Sequence, residues 1–510
     1  LQMKLSYSIS LQGMRQRFRF APSPTGPLHI GGVRTALFNF LLAKKTNGAF
    51  ILRIEDTDKG RFVEKSEEYI EVALNWLGLS PDEGPSAGGG FGPYKQSDRL
   101  DIYKEKIKEL IKAKKAYYAF DTKAALDELR KREERMGSKF KYGYLNRLKL
   151  DNSLKLKEKE IADRIKIEPY VIRLKVEAGV TETRDILRGN IRINNEILDD
   201  KILLKADGCP TYHFANVVDD HLMKISTVIR GEEWLPSLAI HKLIYEAFGW
   251  KMPDFLHLPL ILKPEGKGKL SKRDADRSGF PIYPVRWGDS LGYKELGFLS
   301  IGLINYLALL GWSPGVEKEV FSLKELVEKF SFAGIQRGGA KFDYTKAKWL
   351  NQKHLSIMTF DEYNLIYPEK AIQIKKNYPE HYKEIYQEIR NRVTLLSDFD
   401  NEFKAFFEPP NIYDNKFLEK QGKTQNLLKV LSEIEKLIRA EGVSNLKENL
   451  HKISKSKEIK SSLIMQLLRI CFVGNMSGPD LFFMAKVLTK TISLDRVLAL
   501  TYYIKKNKSL

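Results

Sequence analysis

The sequence predicts an α/β fold with a parallel sheet in its first part and an all-helical region in its last part. Three observations support this prediction. Short apolar strands alternate with helical patterns over residues 17–77, strand and helix patterns return over residues 225–248, and helical periodicity dominates from about Phe321 onward. Alternating strands and helices are typical of parallel sheets, in which each helix crosses between neighbouring strands.

The first βαβ unit can be followed element by element. Residues 17–21 alternate like a strand, which ends at a segment rich in proline and glycine. Residues 30–45 carry apolar side chains at helical spacing, residues 50–54 predict a second strand, and residues 63–77 predict a second helix.

The rest of the chain divides by composition. Residues 81–93 predict a loop, and residues 97–200 mix helices with a Lys-rich stretch at 147–166, as expected of an insertion between two halves of a sheet. Residues 225–230 predict a returning strand and 235–248 a helix, whereas 263–294 predict one long loop. Residues 426–438 and 461–473 are the clearest helices of the last part.

Length and composition narrow the class of protein. The 510 residues predict several domains, and 43% hydrophobic with 29% charged residues excludes a disordered or fibrous chain. No apolar run approaches the roughly 18 residues that a membrane helix needs, so no membrane association is expected. Residues 1–14 are interpreted as an extension or tag without function, because the chain begins with Leu1 and both Met3 and Met14 could start it.

Charge and cysteine content indicate the environment and the kind of partner. The net charge of +20 favours a polyanion such as nucleic acid, the alternative being a generally Lys-rich surface. With only Cys209 and Cys471, the chain can form no disulfide framework and no Cys-based zinc site, so a cytoplasmic location is expected.

Two segments carry phosphate-binding chemistry. In residues 21–32, prolines and glycines predict a tight strand-to-helix turn that places His29, Gly31 and Gly32 at a helix N-terminus, where free N–H groups favour phosphate. In residues 263–273, five of eleven residues are basic, which suits a mobile loop that neutralises a triphosphate. Neither segment matches the P-loop or the dinucleotide-binding glycine pattern.

Together these segments resemble the two signature motifs of class I aminoacyl-tRNA synthetases. They read His-Ile-Gly-Gly from His29 and Lys-Leu-Ser-Lys-Arg from Lys269, with Gly32 standing where the family has a second histidine. Longer matches, at residues 19–26, 53–58, 212–221 and 229–234, resemble bacterial-type glutamyl-tRNA synthetases. That resemblance implies ATP-dependent activation of L-glutamate and its transfer to the 3′-terminal adenosine of the glutamate tRNA.

The resemblance also implies a role for each matching position. The residues implied in catalysis are His29, Lys269, Ser271 and Lys272. The residues implied in ATP binding are His29, Gly31, Gly32, Glu233, Trp234, Ile261 and Lys272. The residues implied in glutamate binding are Arg19, Ala21, Ser23, Glu55, Tyr212, Asn216 and Arg230, with Arg61 a further candidate cation for glutamate or tRNA. Arginine suits this pocket because its fork matches a carboxylate.

The family's domain plan is implied as well. A Rossmann-type catalytic core (15–114 and 211–255) would carry an acceptor-binding insertion (115–210) and a stem-contact region (256–330). The stem-contact region contains the basic segment 263–273, here called the Lys-rich loop. A helical anticodon-binding region (331–510) would follow, with Arg390 and Arg392 as candidate anticodon contacts, although either can be a solvated surface charge.

Metal use is expected to be limited to Mg²⁺ with ATP. The stretch at 116–122, which matches the part of the insertion where some relatives hold zinc, has no cysteine, so zinc is not expected. Four histidines and two aspartates fit no compact zinc template and are interpreted as polar residues of the pocket and structural histidines. They are His213, His221, His241, His257, Asp219 and Asp220.

Three alternatives stay open beside a monomeric enzyme for the glutamate tRNA. One is a non-discriminating enzyme that also charges the glutamine tRNA. A second is a truncated glutamylase of a modified tRNA base, which the helical half disfavours. The third is a non-catalytic RNA-binding protein on a synthetase fold, which the presence of His29, Lys272, Arg19 and Glu55 argues against.

Overall fold

The computed structural model describes residues 15–420 and 424–507, so the predicted extension at 1–14 lies outside the described residues. The strands are, in chain order, β1 (Arg17–Phe20), β2 (Ala49–Leu52), β3 (Ala116–Ala119), β4 (Val171–Leu174), β5 (Val180–Asp185), β6 (Gly189–Asn194), β7 (Ile202–Leu204), β8 (Thr227–Gly231), β9 (Asp254–Leu258), β10 (Ile261–Leu262) and β11 (Ala340–Lys341).

The helices follow in the same way. They are α1 (Ile30–Lys45), α2 (Ser66–Trp76), α3 (Leu100–Lys112), α4 (Lys123–Arg135), α5 (Glu158–Ile167), α6 (Tyr212–Leu222), α7 (Leu238–Phe248), α8 (Lys272–Ser278), α9 (Ser300–Leu309), α10 (Leu323–Lys329), α11 (Tyr344–Ile357), α12 (Phe360–Ile366), α13 (Pro368–Asn377), α14 (Tyr382–Arg390), α15 (Asp398–Phe407), α16 (Asn415–Lys420), α17 (Thr424–Glu441), α18 (Leu446–Ser456), α19 (Ser461–Val473) and α20 (Leu481–Lys506). None of these described helices is long and apolar enough to cross a membrane.

A four-stranded parallel sheet, in the order β2-β1-β8-β9, carries the first part of the chain. Phe18 pairs with Phe50 across β1 and β2, and Val228 pairs with Phe255 across β8 and β9. The strands are almost wholly buried, as expected of a parallel sheet covered on both faces. The predicted α/β class is confirmed, and α1 spans the residues that its periodicity predicts.

The contacts divide the chain into two units, and the division differs from the predicted one. Of the described residues, the first unit holds those up to 295 together with 303–344, and the second holds 296–302 and those from 345 onward. The predicted start of the helical region at 331 is therefore too early. Residues 331–344 stay with the first unit because β11 pairs with β10 of that unit.

The insertion contains strands that the sequence did not indicate. Strands β3, β4 and β7 form an antiparallel sheet, and β5 and β6 form a separate hairpin. Along β6, partly buried positions alternate with exposed ones and no position is fully buried, so its apolar pattern is weak. Short, half-exposed strands of this kind are hard to separate from polar loops by pattern alone.

The predicted loop at 263–294 contains a short helix, α8, that the sequence analysis missed. Ser271 caps it by accepting a hydrogen bond from the Asp274 N–H at 3.3 Å, while the Asp274 carboxylate accepts from the Ser271 N–H at 3.1 Å. This reciprocal pair satisfies backbone groups at the start of the helix. The S-x-x-D pattern was the available signal, but the surrounding glycines and lysines obscured it.

The second unit has a continuous apolar core with one buried arginine. Leu431, Leu468 and Leu500, from α17, α19 and α20, are completely buried there. Arg496 of α20 donates to the carbonyl oxygens of Ala405 at 2.7 Å, Phe472 at 2.5 Å and Glu408 at 3.0 Å. These carbonyls lie at the C-terminal ends of α15 and α19, so the guanidinium satisfies acceptors that lack a helical partner.

Replacement of this arginine should destabilise the second unit. We expect Arg496→Met to lower the free energy of unfolding by about 3 kcal/mol, because three buried carbonyls lose a charged donor. Urea unfolding of the full chain, followed by far-ultraviolet circular dichroism, measures the loss.

The matched control is Lys436→Met, which removes a surface cation paired only with Glu433 on the same helix. It should change stability by no more than about 0.5 kcal/mol. Equal unfolding midpoints for the two variants would contradict the capping role of Arg496.

Candidate active site

A cavity of about 600 Å³ opens in the first unit at the carboxyl ends of β1, β8 and β9. This is the edge at which parallel α/β sheets bind their ligands. Nearly all the predicted site residues line it. They are Arg19, Ala21, Ser23, His29, Gly31, Gly32, Glu55, Tyr212, Asn216, Arg230, Glu233, Trp234, Ile261, Lys269, Ser271 and Lys272.

His29 precedes α1 and caps it. Its Nδ1 accepts a hydrogen bond from the Gly31 N–H at 3.0 Å, so the ring proton of the neutral imidazole is on Nε2. Partial loss of hydration in the cavity wall, with Lys269 nearby, lowers the pKa of His29 and keeps the ring neutral near pH 7, while the side chain stays exposed to solvent. The ring therefore presents one N–H donor for an oxygen in the cavity.

Gly31 leaves the room that this cap needs, and Gly32 leaves room for the Leu28 side chain. A Cβ on Gly31 would lie 2.8 Å from His29 Cε1, and a Cβ on Gly32 would lie 2.5 Å from Leu28 Cδ1. A side chain at position 31 would force the imidazole out of its capping position. The departure from the family motif at Gly32 is thus compatible with the local packing.

The Lys-rich loop faces His29 across the cavity. Lys269 Nζ lies 3.1 Å from Glu233 Oε1, and Lys272 Nζ lies 5.7 Å from the centre of the Tyr283 ring. Ser271, predicted as catalytic, has its hydroxyl 2.6 Å from Asp274 Oδ2 as part of the α8 cap. Of the two loop lysines that line the cavity, Lys272 is the one without a carboxylate partner among the described residues.

Arg230 is a buried cation held by neutral groups. Its Nε donates to His257 Nε2 at 3.0 Å, its Nη1 to the Tyr212 hydroxyl at 2.9 Å, and its Nη2 to the Trp234 carbonyl at 3.2 Å. Burial lowers the pKa of Arg230, because no carboxylate contacts it directly and the charge of Asp220 opposes the loss of hydration only in part. A buried charge without a counter-ion is unfavourable, so an anionic ligand would be stabilised here.

Arg19 lies deeper in the cavity and is already paired. Its Nε and Nη2 donate to the two carboxylate oxygens of Asp220, at 3.1 and 3.2 Å. Asp220 also accepts from Arg53 Nη1 at 2.7 Å. Arg19 Nη1 has no hydrogen-bond partner within the part of the chain that the structure describes, so this nitrogen of Arg19 remains for a ligand.

Glu55 offers an acceptor for a cation. Its Oε1 accepts from Arg53 Nη2 at 3.0 Å and from Asn216 Nδ2 at 2.9 Å, which leaves Oε2 for a ligand. The buried Oδ1 of Asn216 has no donor among the described residues. Burial raises the pKa of Glu55, although Arg53 and Arg19 oppose this shift. Glu55 Oε2 is therefore the acceptor available to a ligand ammonium group.

The network behind Arg19 and Glu55 is the part that sequence reasoning missed. Arg53 was quoted in a motif without a role, yet it bridges Asp220 and Glu55 from a completely buried position. Asp219 accepts from Arg99 Nε at 2.7 Å and from the Tyr103 hydroxyl at 2.8 Å. The sequence feature that could have indicated this network is the pair Asp219–Asp220, which follows the apolar Val217 and Val218 in α6.

The histidines form a chain beside Arg230. His241 Nε2 lies 3.2 Å from His213 Nδ1, and His241 Nδ1 lies 3.5 Å from Arg230 Nη1. Burial lowers the pKa of His213 to about 4, and burial together with Arg230 lowers the pKa of His241 well below its usual range. No group of three metal-ligating side chains occurs in residues 15–420 and 424–507.

One candidate residue for the glutamate site, Arg61, does not line the cavity. Arg61 is exposed and pairs with Asp58 at 2.7 Å. In the second unit, Arg390 donates to the Met358 carbonyl at 2.8 Å, and Arg392 pairs with Glu402 at 2.8 Å. The placement of Arg61 makes it an unsuitable ligand for a small molecule held in this cavity.

Two family models and several known proteins are similar to this chain over most of its length. The family model for the catalytic domain of class I tRNA synthetases (E and Q) covers residues 16–349, and the model for an anticodon binding domain covers residues 359–500. The glutamate–tRNA ligase of Christiangramia forsetii is 48% identical over 495 residues, which are 94% of this chain and 97% of that protein.

A solved structure is also close. The crystal structure of a glutamate tRNA ligase from Elizabethkingia meningosepticum, in complex with its amino acid, is similar with a TM-score of 0.89 at 43% identity, over 96% of this chain and 100% of that one. The chain therefore belongs to the glutamate–tRNA ligase family of class I aminoacyl-tRNA synthetases.

Proposed function

We propose that this chain activates L-glutamate with ATP and transfers it to the 3′-terminal adenosine of the glutamate tRNA. The observation that carries the proposal is the unneutralised Arg230 in the same cavity as His29 and Lys272. A dicarboxylate supplies the missing negative charge, and the neutral imidazole and the lysine face the space where a triphosphate would lie. Membership of the family gives the reaction its identity.

Glutamate would be held by groups of opposite charge at its two ends. Arg19 and Arg230 bind the carboxylates, and Tyr212 keeps the Arg230 guanidinium in place through its hydroxyl. Glu55 Oε2 and Asn216 Oδ1 accept from the α-ammonium group, next to Ser23 and Ala21 in the cavity wall. Glutamine would put an amide against an arginine, which is a mismatch of several kcal/mol.

Activation is an in-line displacement that requires positioning and charge neutralisation. An α-carboxylate oxygen of glutamate attacks the α-phosphorus of ATP, the bond to the bridging oxygen breaks, and pyrophosphate leaves. His29 Nε2–H donates to a phosphate oxygen, and Lys272 neutralises the charge that develops on the phosphoryl group. The hydroxyl of the tRNA adenosine then attacks the carbonyl carbon and releases AMP.

ATP would lie between α1 and the Lys-rich loop. Gly31 and Gly32 let its phosphates approach the backbone, and the exposed Trp234 ring, 4.3 Å from the centre of the Tyr212 ring, offers a face to the adenosine. Ile261 and Glu233 line the same side. Lys269 must leave Glu233 to reach a phosphate. Mg²⁺ would enter with the ATP phosphates and offset part of their charge.

The remaining partners follow from the same proposal. The insertion at 115–210 would contact the acceptor end of the tRNA, residues 256–330 its stem, and the helical unit its anticodon, which agrees with the matched anticodon binding domain. We propose a monomer that acts in the cytoplasm. A second candidate, a non-discriminating enzyme, differs only in also charging the glutamine tRNA.

The experiment that tests the function is glutamate-dependent ATP–pyrophosphate exchange, with and without tRNA, followed by charging of glutamate and glutamine tRNAs. Exchange, together with charging of the glutamate tRNA alone, supports the discriminating enzyme. Charging of both tRNAs supports the second candidate. Absence of exchange under all conditions, with tRNA still bound, would favour the non-catalytic RNA-binding protein.

Loss of the loop cation should affect chemistry rather than binding. We expect Lys272→Ala to lower the rate of glutamate activation by on the order of 10²-fold or more, because it removes a contact to charge that develops in the transition state. Affinity for tRNA should stay nearly unchanged. Lys251→Ala, at an exposed position that does not line the cavity, is the control. A normal exchange rate in Lys272→Ala would remove this lysine from the mechanism.

Two variants at position 29 should separate capping from catalysis. In His29→Asn the side-chain oxygen can still cap α1, but no donor reaches the position of Nε2. In His29→Gln the amide nitrogen can occupy that position, while the cap is lost at a cost of about 1 kcal/mol. We expect His29→Asn to be the slower enzyme and His29→Gln the less stable one, as measured by exchange kinetics and thermal unfolding. The reverse order of rates would contradict the proposed Nε2 donor.

Loss of the unpaired arginine should weaken glutamate binding. We expect Arg230→Met to raise the KM for glutamate by roughly 10²-fold at saturating tRNA, because a charged hydrogen-bond donor in a buried site is lost. Lys104→Met, which removes a surface cation paired with Asp101 on the same helix, is the control. An unchanged KM in Arg230→Met would show that the carboxylates bind elsewhere.

A further inference from the structure

A buried Asp–His pair lies directly behind Arg230. His257 Nδ1 is 2.8 Å from Asp185 Oδ2, and His257 Nε2 accepts from Arg230 Nε at 3.0 Å. Neither side chain of the pair is exposed. Asp185 ends β5 in the insertion, whereas His257 belongs to β9 and Arg230 to β8 of the parallel sheet. The three groups therefore join the insertion to the floor of the cavity.

The hydrogen-bond pattern allows one protonation state of the imidazole. The Nε of an arginine always carries a hydrogen, so His257 Nε2 must be an unprotonated acceptor. The ring proton is then on Nδ1 and is donated to Asp185. Burial and the neighbouring Arg230 both lower the pKa of His257, although Asp185 opposes this shift, which agrees with a neutral ring.

Asp185 is itself held firmly. Its Oδ1 accepts from the N–H groups of Leu187 and Arg188 at 2.9 and 2.8 Å, and its Oδ2 accepts from the His257 N–H at 2.9 Å as well as from the ring. These bonds lower the pKa of Asp185 despite its burial. The turn of the β5–β6 hairpin thus fixes the carboxylate, and the carboxylate fixes the imidazole.

From this geometry we propose that Asp185 and His257 are positioning residues for the substrate carboxylate. By fixing the acceptor tautomer of His257, Asp185 lets a neutral group hold the Arg230 guanidinium at Nε, so that its charge remains available to the cavity. This inference rests on the proposed function, and it assigns a task to two residues outside the predicted set of site residues.

The contrast with Arg19 explains why a neutral acceptor matters. Arg19 is oriented by a direct two-point contact with Asp220, which also neutralises much of its charge. Arg230 receives its orientation from an imidazole, with the negative charge of Asp185 displaced behind the ring. Because Asp185 is separated from Arg230 by the imidazole ring, its charge weakens the attraction of Arg230 for a ligand carboxylate less than a directly contacting carboxylate would. Of the two arginines proposed to bind glutamate, Arg19 is therefore paired with a carboxylate and Arg230 is not.

The test uses two substitutions that differ in one hydrogen bond. In His257→Gln the side-chain oxygen can occupy the position of Nε2 and accept from Arg230. In His257→Asn the amide can reach Asp185, but no acceptor reaches Arg230. Exchange kinetics of the full chain with tRNA give the KM for glutamate, the KM for ATP and kcat, and thermal unfolding of each variant checks that it is folded.

We expect His257→Asn to raise the KM for glutamate by on the order of tenfold or more, with the KM for ATP within about threefold of the starting protein. His257→Gln should restore most of the glutamate affinity. Asp185→Asn should resemble His257→Asn, because an amide donor facing Nδ1 favours the tautomer with a proton on Nε2, which cannot accept from Arg230.

Three results would overturn the inference. The first is a glutamate KM in His257→Asn equal to that of the starting protein. The second is an equal loss of glutamate affinity in His257→Asn and His257→Gln, and the third is a parallel rise in the KM for ATP; either of these would show a general structural role. These results leave the proposed function intact, whereas failure of the unsubstituted chain to catalyse any glutamate-dependent exchange would remove the function itself.

Discussion

The site depends on the placement of one positive charge, Arg230, in a buried position without a carboxylate partner. Such a charge is costly in the empty protein, and its lowered pKa reflects that cost. The surrounding structure maintains it through three neutral acceptors from α6, β9 and the segment after β8. The cavity is therefore most stable with an anion bound, and this property links the fold to the choice of substrate.

The parallel sheet brings the two halves of the site together. Strand β1, which carries Arg19, lies next to β8, which carries Arg230, although some 200 residues separate them in the chain. The insertion between them is thereby free to form its own sheet and hairpin. Because the hairpin returns to β9, the part of the chain proposed to contact the tRNA acceptor end also supports the glutamate pocket.

The sequence was most informative where chemistry requires a fixed run of residues. The turn before α1 and the Lys-rich loop were identified because phosphate binding needs glycine, histidine and lysine at set positions, and Arg19, Glu55 and Arg230 followed from the matching motifs. Pairs that depend on tertiary contact, such as Asp220 with Arg53 or Asp185 with His257, leave no local pattern. The strands of the insertion were missed for the same reason, since their short polar stretches gain strand character only through pairing.

The central claim is that the cavity selects a dicarboxylate because Arg230 has no carboxylate partner within the protein. Titration calorimetry of the full chain with glutamate and with glutamine, in the absence of ATP, tests this claim most directly. The account predicts that glutamate binds and that glutamine binds at least about 10²-fold more weakly, because its amide leaves one buried arginine unpaired. Equal affinities for the two amino acids would contradict it.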